Sequence, residues 1–256
     1  MSDWNAKHYL KFGDERTRPA VDLVTRIKLT APRRIFDLGC GPGNSTAILG
    51  ERWPEAEIVG IDSSPGMIAT AKEQHPEGNW ESGDISTWTP DEPADLIFSN
   101  AALQWIPDHG ELMQRLIRAT AVGGALAFQI PGGSFAEVRK LIHELSHAPR
   151  WNDRMTAART ALTMEPPAFY YDSLVKEATS LDLWETEYHH VMESTDAIVD
   201  WISSTGLRPF VAALEDEEER NNVVGELRRR VAAAYEGRTD GQVLFPFRRT
   251  FVIAYR

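Results

Sequence analysis

The chain has 256 residues, 42% of them hydrophobic and 25% charged, which suits a folded protein of one domain with an elaboration or of two small domains. Its net charge of −11, without a basic face, predicts no nucleic-acid partner, and the absence of an apolar stretch of roughly 20 residues predicts no membrane partner. The single cysteine, Cys40, excludes an internal disulfide and, with an N-terminus too polar for a signal peptide, predicts a cytoplasmic location.

Helix and strand patterns alternate through the first half of the chain. In chain order the sequence predicts a helix at 14–28, a strand at 33–39, a helix at 44–53, a strand at 56–62, a helix at 65–74, strands at 78–85 and 94–100, a helix at 110–120 and a strand at 124–131. Asn44 and Ser45 are the expected N-terminal caps of the second helix. Gly123 and Gly124 are expected to form the turn before the fifth strand. Such a doubly wound sheet binds ligands at the carboxyl ends of its strands.

The pattern changes after Pro131. Two long blocks have mainly helical character, 134–180 and 195–236, and the segments 182–192 and 244–256 have strand character. We expect these two strands to pair at the sheet edge and the helical blocks to form a lid. The predicted fold is therefore α/β, a doubly wound Rossmann-like seven-stranded sheet whose last strand pair is antiparallel, with a helical lid.

Three glycines follow the first strand at alternate positions. Gly39, Gly41 and Gly43 form a DxGxGxG pattern that begins at Asp37. Glycine permits a tight turn and lets a ligand approach the main chain closely. A dinucleotide fingerprint places its third glycine one residue later, so the spacing alone is only moderately specific.

Acidic residues end the next two strands. Asp62 lies 19 residues after Gly43 and could accept hydrogen bonds from a ribose diol, while Asp84 could accept one from an adenine amine. Carboxylates repel pyrophosphate. The pattern therefore favours S-adenosylmethionine, which has amine and hydroxyl donors and no phosphate, over a nicotinamide dinucleotide.

Four motifs, DLGCGPG, GIDSS, GDI and SNAALQW, resemble the class I S-adenosylmethionine-dependent methyltransferases over roughly residues 33–131. Further segments, among them SDWN, RPAVDL and DWISSTGLRP, extend the resemblance over most of the chain to members that esterify a carboxylate of a small tricarboxylic acid. The resemblance implies methyl transfer that leaves S-adenosylhomocysteine, and a small-molecule polycarboxylate as substrate.

The resemblance also implies positions for the cofactor. Its methionine moiety would lie on Gly39, Gly41 and Gly43, with Asp37 and Asn100 near the amino group.

The adenosyl end would meet five other residues. Asp62 would hold the ribose, Asp84 and the Ile85 backbone the adenine, and Ser63 and Met67 would border both.

These assignments divide the chain as follows: an N-terminal helical flap at 1–30, an S-adenosylmethionine-binding core at 31–133, lid parts at 134–180 and 195–240, and core strands at 181–194 and 241–256.

No acid or base catalyst is expected, because a carboxylic acid of pKa about 4 is already ionised near neutrality. Positioning is assigned to Gln104, Trp105 and Arg208, the last because guanidinium forks match carboxylates. Trp105 could equally be core filler, and Arg208 could simply face solvent.

Other residues are weaker candidates. Trp4, His8 and Tyr9 could form a flap over the cofactor or an amphipathic helix docked on the core, and Cys40 is a small filler, not a nucleophile. No metal site is predicted. The remaining candidates for substrate contact are His189, His190, Tyr170, Tyr171, Trp201, Arg248 and Arg249.

Alternative functions remain open at this point. The fourth strand ends in SNAALQW and lacks the (N/D/S)PP(Y/F) motif of nucleobase methyltransferases. The acceptor could still be another carboxylate, a phenol or a carrier-bound acyl group, or the chain could be a non-catalytic S-adenosylmethionine-binding module. The oligomeric state is not predicted.

Overall fold

The computed structural model describes residues 13–132 and 137–256. Trp4, His8 and Tyr9 of the predicted flap lie outside these residues. Within the described ranges, no helix has the length and apolar character that a membrane crossing requires.

Seven strands form one sheet with the order β3-β2-β1-β4-β5-β7-β6. The strands are β1 (Arg34–Leu38), β2 (Glu57–Asp62), β3 (Asn79–Ser82), β4 (Ala94–Asn100), β5 (Thr120–Pro131), β6 (Ser180–Met192) and β7 (Val243–Tyr255). Strands β1 to β5 are parallel, and β7 runs antiparallel to β5. The predicted doubly wound seven-stranded sheet, with its last strands at the edge, is confirmed.

The described residues form ten α-helices, of which the first precedes β1 and the others lie between strands. They are α1 (Gly13–Arg26), α2 (Asn44–Arg52), α3 (Pro65–Gln74), α4 (His109–Ala119), α5 (Glu137–Ser146), α6 (Thr156–Arg159), α7 (Pro167–Leu174), α8 (Thr195–Ser203), α9 (Arg208–Ala212) and α10 (Glu217–Ala234). A single 3₁₀ turn, Leu103–Trp105, follows β4.

The described residues divide into two compact units. The sheet unit comprises its described residues 13–131 with Thr163–Thr186 and Arg249–Arg256, and the helical unit comprises Gly132–Leu162 and Glu187–Arg248. Helices α1 to α4 and α7 belong to the sheet unit, and the other five helices to the helical unit. Strands β6 and β7 have residues in both.

Burial explains why the central strands have nearly continuous apolar sequences. Ile97 and Phe98 of β4, and Leu126 and Phe128 of β5, are completely buried. A parallel strand covered by helices on both faces has no polar face to alternate with, so its sequence is a short apolar run.

In the helical unit, the Arg228 guanidinium of α10 forms ion pairs with Asp196 and Asp200 of α8.

Two local predictions were wrong. Strand β5 begins at Thr120 and includes Gly123 and Gly124, because a register shift against β4 accommodates both glycines within the strand. Helix α2 is preceded by Gly43 in a left-handed conformation, so Asn44 is already its first residue and no side chain caps it.

Trp80 of β3 occupies a slot bordered by three glycines. Cβ atoms placed on Gly43, Gly60 and Gly78 would lie 2.7, 2.5 and 2.5 Å from its ring atoms. The indole Nε1 donates a hydrogen bond to the His75 carbonyl at 3.0 Å. Because these three glycines have no side chains, the large Trp80 ring can pack beside β2.

Gly60→Ala is expected to lower the free energy of unfolding by about 1–3 kcal/mol, because the new methyl would overlap the Trp80 ring. Gly225 is the matched control: it is exposed within α10, and a Cβ there would meet no atom within 4 Å. Gly225→Ala is expected to raise that free energy by about 0.5–1 kcal/mol. Urea unfolding followed by circular dichroism measures both, and wild-type stability of Gly60→Ala would refute the packing described.

Candidate active site

The turn after β1 is tied to the end of β2. The amides of Gly39 and Cys40 both donate to the Ile61 carbonyl, at 2.7 and 3.0 Å. The Gly41 amide donates to the Asp62 carboxylate at 3.0 Å. Hydrogen bonds to β2 therefore fix the main chain of the turn without the help of a ligand.

The three glycines of this turn have different reasons for lacking a side chain. A Cβ on Gly39 would overlap the Ala102 methyl, and one on Gly43 would meet the Trp80 ring. Gly41 has φ +56°, and a Cβ there would meet nothing within 4 Å. Gly41 is thus the glycine whose absent side chain leaves space for a ligand.

One cavity of the sheet unit opens at the carboxyl ends of β1, β2 and β4, and we call it the main cavity because most of the predicted cofactor residues line it. Its lining residues are Gly39, Gly41, Asp62, Ser63, Met67, Asp84, Ile85, Asn100, Ala101, Ala102, Trp105 and Ile106. The structure therefore brings together Trp105 and eight of the ten predicted cofactor residues. None of the described lining residues is Lys or Arg, whereas Asp62 and Asp84 are acidic.

A smaller side cavity adjoins the same turn. It shares three residues with the main cavity, Gly39, Gly41 and Asn100, and is completed by α1 and the start of α2. Both cavities are therefore lined by the glycine turn.

Asp62 has two structural hydrogen bonds besides its place in the main cavity. Its Oδ2 accepts from the Gly41 amide, and its Oδ1 accepts from the Ser64 amide at 2.8 Å. Ser64 in turn caps α3 by accepting from the Met67 amide at 3.2 Å. This chain of contacts places both Asp62 and Met67 at the cavity.

Asp37 does not reach either cavity. It is completely buried, and its Oδ2 accepts hydrogen bonds from the Ser45 and Thr46 hydroxyls, each at 2.7 Å. Burial raises the pKa of Asp37 to about 6, and the charge of Asp62 adds to that effect. Asp37 thus supports the first turn of α2 from behind the glycine turn.

Cys40 is buried beside these two acids. Burial, with the charges of Asp37 and Asp62, raises the pKa of its thiol far above the usual range. This shift disfavours a thiolate nucleophile at Cys40. In the described residues, no group of three His, Cys, Asp or Glu side chains is placed to hold a metal ion.

Asn100 ends β4 at the junction of the two cavities. Its Oδ1 accepts a hydrogen bond from Gln129 Nε2 at 2.7 Å. Ala101, which follows, has φ +56° and directs the chain into the 3₁₀ turn. This turn brings Trp105 to the cavity but not Gln104, which is 5% exposed and donates to the Ala101 carbonyl at 2.6 Å.

A buried polar network fixes the same 3₁₀ turn. His109 Nε2 lies 2.9 Å from the Leu103 carbonyl, so this nitrogen is the donor, and Nδ1 accepts from the Tyr170 hydroxyl at 2.6 Å. Burial lowers the pKa of His109. The imidazole is therefore neutral and has no free nitrogen with which to act as a base.

Arg208 is the first residue of α9, in the helical unit. Another arginine of that unit, Arg139 on α5, was not singled out by the sequence. Its side chain is half-buried, and the described residues provide no hydrogen-bond or ion-pair partner for it. Burial alone lowers its pKa to about 10. A desolvated cation without a counter-charge favours an anionic ligand.

The weaker candidates lie outside both cavity linings. His190 is buried with its ring 4.9 Å from that of Trp201, whereas the neighbouring His189 is exposed. This alternation agrees with the expectation that adjacent strand residues face opposite sides. The other members of the set are Tyr170, Tyr171, Arg248 and Arg249.

Comparison with known proteins agrees with this geometry. Residues 35–124 match a family model described as a methyltransferase domain. Trans-aconitate 2-methyltransferase of Azoarcus sp. (strain BH72) is 44% identical over 256 residues, covering 100% of both chains. The enzyme of that name from Methylobacterium radiotolerans is also 44% identical, covering 99% of this chain and 98% of the relative. The chain belongs to the trans-aconitate 2-methyltransferase family.

Solved structures show the same fold at much lower identity. The YcgJ protein of Bacillus subtilis has a TM-score of 0.60 and 12% identity, covering 93% of this chain and 98% of that chain. Phosphoethanolamine N-methyltransferase 2 of Haemonchus contortus has a TM-score of 0.56 and 15% identity, covering 93% and 52%. The resemblance to class I S-adenosylmethionine-dependent methyltransferases, made on the motifs, is confirmed.

Asp37 predicts a distinctive pH dependence of stability in this family member. Its pKa of about 6 exceeds the unfolded value of 3.8, so between these pH values the folded state holds a proton that the unfolded state has lost. Stability should therefore fall as pH rises from about 4 to 6, by up to about 3 kcal/mol. Asp37→Asn keeps an acceptor for Ser45 and Thr46 and removes the titration.

Urea unfolding of the ligand-free protein at pH 4, 5, 6 and 7 measures this dependence. The difference in unfolding free energy between wild type and Asp37→Asn should change over that interval and be constant above it. A difference that stays constant from pH 4 to 7 would contradict the assignment.

Proposed function

We propose that this chain transfers the methyl group of S-adenosylmethionine to a carboxylate of trans-aconitate, forming a monomethyl ester and S-adenosylhomocysteine. The observation that supports this most strongly is the 44% identity over the full chain to relatives of that name. The acidic cavity at the strand ends agrees with it.

The cavity fits the cofactor through its acceptors and its open space. The carboxylates of Asp62 and Asp84 suit the ribose hydroxyls and the adenine amine, and Met67 and Ile85 provide apolar surface beside them. The space at Gly41 admits the amino-acid end against the main chain. When bound, S-adenosylmethionine supplies an activated methyl group on a sulfonium.

Asn100 and Gly39 face both cavities and are assigned to the amino-acid end. Because Asn100 Oδ1 already accepts from Gln129, its side-chain NH₂ is the group that remains to donate to a ligand carboxylate. Asp37 and Gly43 are assigned to the support of the turn, since neither lines a cavity.

No residue has to remove a proton from the acceptor. A carboxylic acid has a pKa of about 4, so the attacking oxygen is ionised at neutral pH. The neutral His109 is committed to Leu103 and Tyr170. The chain therefore contributes by orienting the carboxylate and by removing water molecules from around it. Orientation alone can lower the activation barrier by roughly 7–11 kcal/mol in favourable cases.

The 3₁₀ turn supplies the apolar part of that environment. Ala101, Ala102, Trp105 and Ile106 line the main cavity beside the cofactor-binding residues. The His109 network holds this turn in one conformation, so its surface is present before the acceptor arrives. An apolar wall next to the reacting carboxylate lowers its hydration, which raises its reactivity.

Arginines of the helical unit are assigned to the acceptor's other carboxylates. Arg208 was proposed from its sequence context, and Arg139 is added because its half-buried guanidinium has no counter-charge in the described residues. Gln104 is not retained, since its amide is turned away from the cavity. We also propose a cytoplasmic location, in keeping with a single buried Cys40.

Purified protein should transfer radiolabelled methyl from S-adenosylmethionine to trans-aconitate with saturation kinetics. The product should release its label in alkali, because a methyl ester is hydrolysed there and an ether or amine is not. Citrate, cis-aconitate, a phenol and a carrier-bound acyl group serve as competing acceptors. Transfer only to another acceptor, or cofactor binding without any transfer, would contradict the proposal.

The two ligands should respond to different substitutions. Asp62→Ala should weaken S-adenosylhomocysteine binding about tenfold to hundredfold, because hydrogen bonds to a charged group contribute about 1.5–3 kcal/mol. Arg208→Ala and Arg139→Gln should raise KM for trans-aconitate at least tenfold and change the S-adenosylhomocysteine Kd less than twofold.

Calorimetry gives the Kd values and initial rates give KM. Arg229→Ala is the matched control, because Arg229 pairs with Glu226 on an exposed face of the same unit. If Arg208→Ala or Arg139→Gln lowered both affinities equally, its assignment to the acceptor would be wrong.

A further inference from the structure

The segment that leaves β3 for β4 forms a tight turn at the main cavity. Asp84 and Ile85, which line that cavity, stand at its start, and Trp88 stands at its end. Three amides of this turn donate hydrogen bonds to Asp84. The Ser86 amide donates to Asp84 Oδ1 at 2.8 Å, and the Thr87 and Trp88 amides donate to the Asp84 carbonyl at 3.1 and 2.9 Å.

Arg115 of α4 donates hydrogen bonds to the main-chain carbonyls of the same turn. Arg115 Nη2 donates to the carbonyls of Ile85 and Ser86, at 2.8 and 2.9 Å, and Nη1 donates to the carbonyl of Trp88. One guanidinium thus bonds three of the turn's main-chain oxygens.

This arrangement explains how a turn that belongs to no strand or helix keeps one shape. Carbonyl oxygens that converge on one point repel one another, and a cation with donors in a planar fork offsets that repulsion. Burial lowers the pKa of Arg115 while the nearby charge of Asp84 raises it. The Trp88 ring packs edge-on against Phe36 of β1, with ring centroids 4.9 Å apart, which fixes the far end of the turn.

We propose that Arg115 is a positioning residue for the adenine end of the cofactor: it holds the turn in the conformation that presents Asp84 and Ile85 to the main cavity. This inference rests on the proposed function, in which those two residues bind adenine. Arg115 itself touches neither ligand. It sets cofactor affinity through the turn and has no direct part in orienting the acceptor.

Replacing Arg115 tests this role against a purely structural one. Arg115→Met removes all three hydrogen bonds and keeps the apolar stem, and Arg115→Lys keeps the charge but cannot form the planar fork. Arg118→Met is the matched control, since Arg118 lies one turn further along α4, is exposed, and pairs with Glu177.

Arg115→Met should raise the Kd for S-adenosylhomocysteine and the KM for S-adenosylmethionine at least tenfold. Arg115→Lys should show a smaller increase, and Arg118→Met should stay within twofold of wild type. With both substrates saturating, kcat and the KM for trans-aconitate should change less than twofold in all three variants. A fall in kcat with unchanged cofactor affinity would overturn the proposal.

A double-variant measurement asks whether Arg115 acts through the turn. If it does, Arg115→Met should weaken S-adenosylhomocysteine binding much less in an Asp84→Ala background than in wild type, because the contact it positions is already gone. Equal losses in the two backgrounds would refute the mechanism. If Arg115→Met does not fold, the same comparison is made with Arg115→Lys.

The outcomes separate this inference from the proposed function. Failure of wild-type protein to bind S-adenosylhomocysteine would contradict the function itself. Normal binding by wild type and by Arg115→Met alike would leave the function intact and reject the role of Arg115.

Discussion

The hydrogen bonds between the turn after β1 and the end of β2 are the constraint on which the site depends. The Ile61 carbonyl accepts from two successive amides, and Asp62 accepts from a third at Gly41. These bonds hold a glycine-rich segment, which has high conformational freedom, in one shape. Since Asp62 also bonds the Ser64 amide, the same carboxylate sets the start of α3 and the position of Met67. The cavity is therefore formed by the fold itself.

The cavity at the strand ends of the sheet unit is acidic. Asp37, Asp62 and Asp84 give the sheet unit a negative field at the strand ends, and none of the described lining residues opposes it with a Lys or Arg. That field suits a cofactor that carries a sulfonium and an ammonium. An anionic acceptor needs positive groups, and Arg139 and Arg208 are the residues that we propose for this role.

The sequence predicted most of the fold and much of the cavity because parallel strands end at one edge of a sheet. Asp62, Asp84 and Asn100 could be assigned together from strand ends alone. What it could not predict depends on contacts between distant segments. Gly43 lacks a side chain because of Trp80, and Gln104 is turned inward by its bond to the Ala101 carbonyl. Arginines such as Arg115 and Arg139 lie on amphipathic helices, where nothing in the pattern distinguishes them from arginines that face water.

The glycines around Trp80 restrict how this sequence can drift. Gly43, Gly60 and Gly78 come from three separate segments, yet a Cβ on each would overlap the same indole ring. A larger residue at Gly60 or Gly78 becomes tolerable only after Trp80 has been exchanged for something smaller, whereas Gly43 also has φ +97°, a left-handed conformation that favours glycine. That exchange would itself leave a void. Gly60, Gly78 and Trp80 therefore change in a set order or not at all, and a tryptophan outside both cavity linings adds to the constraint on the neighbouring glycine turn.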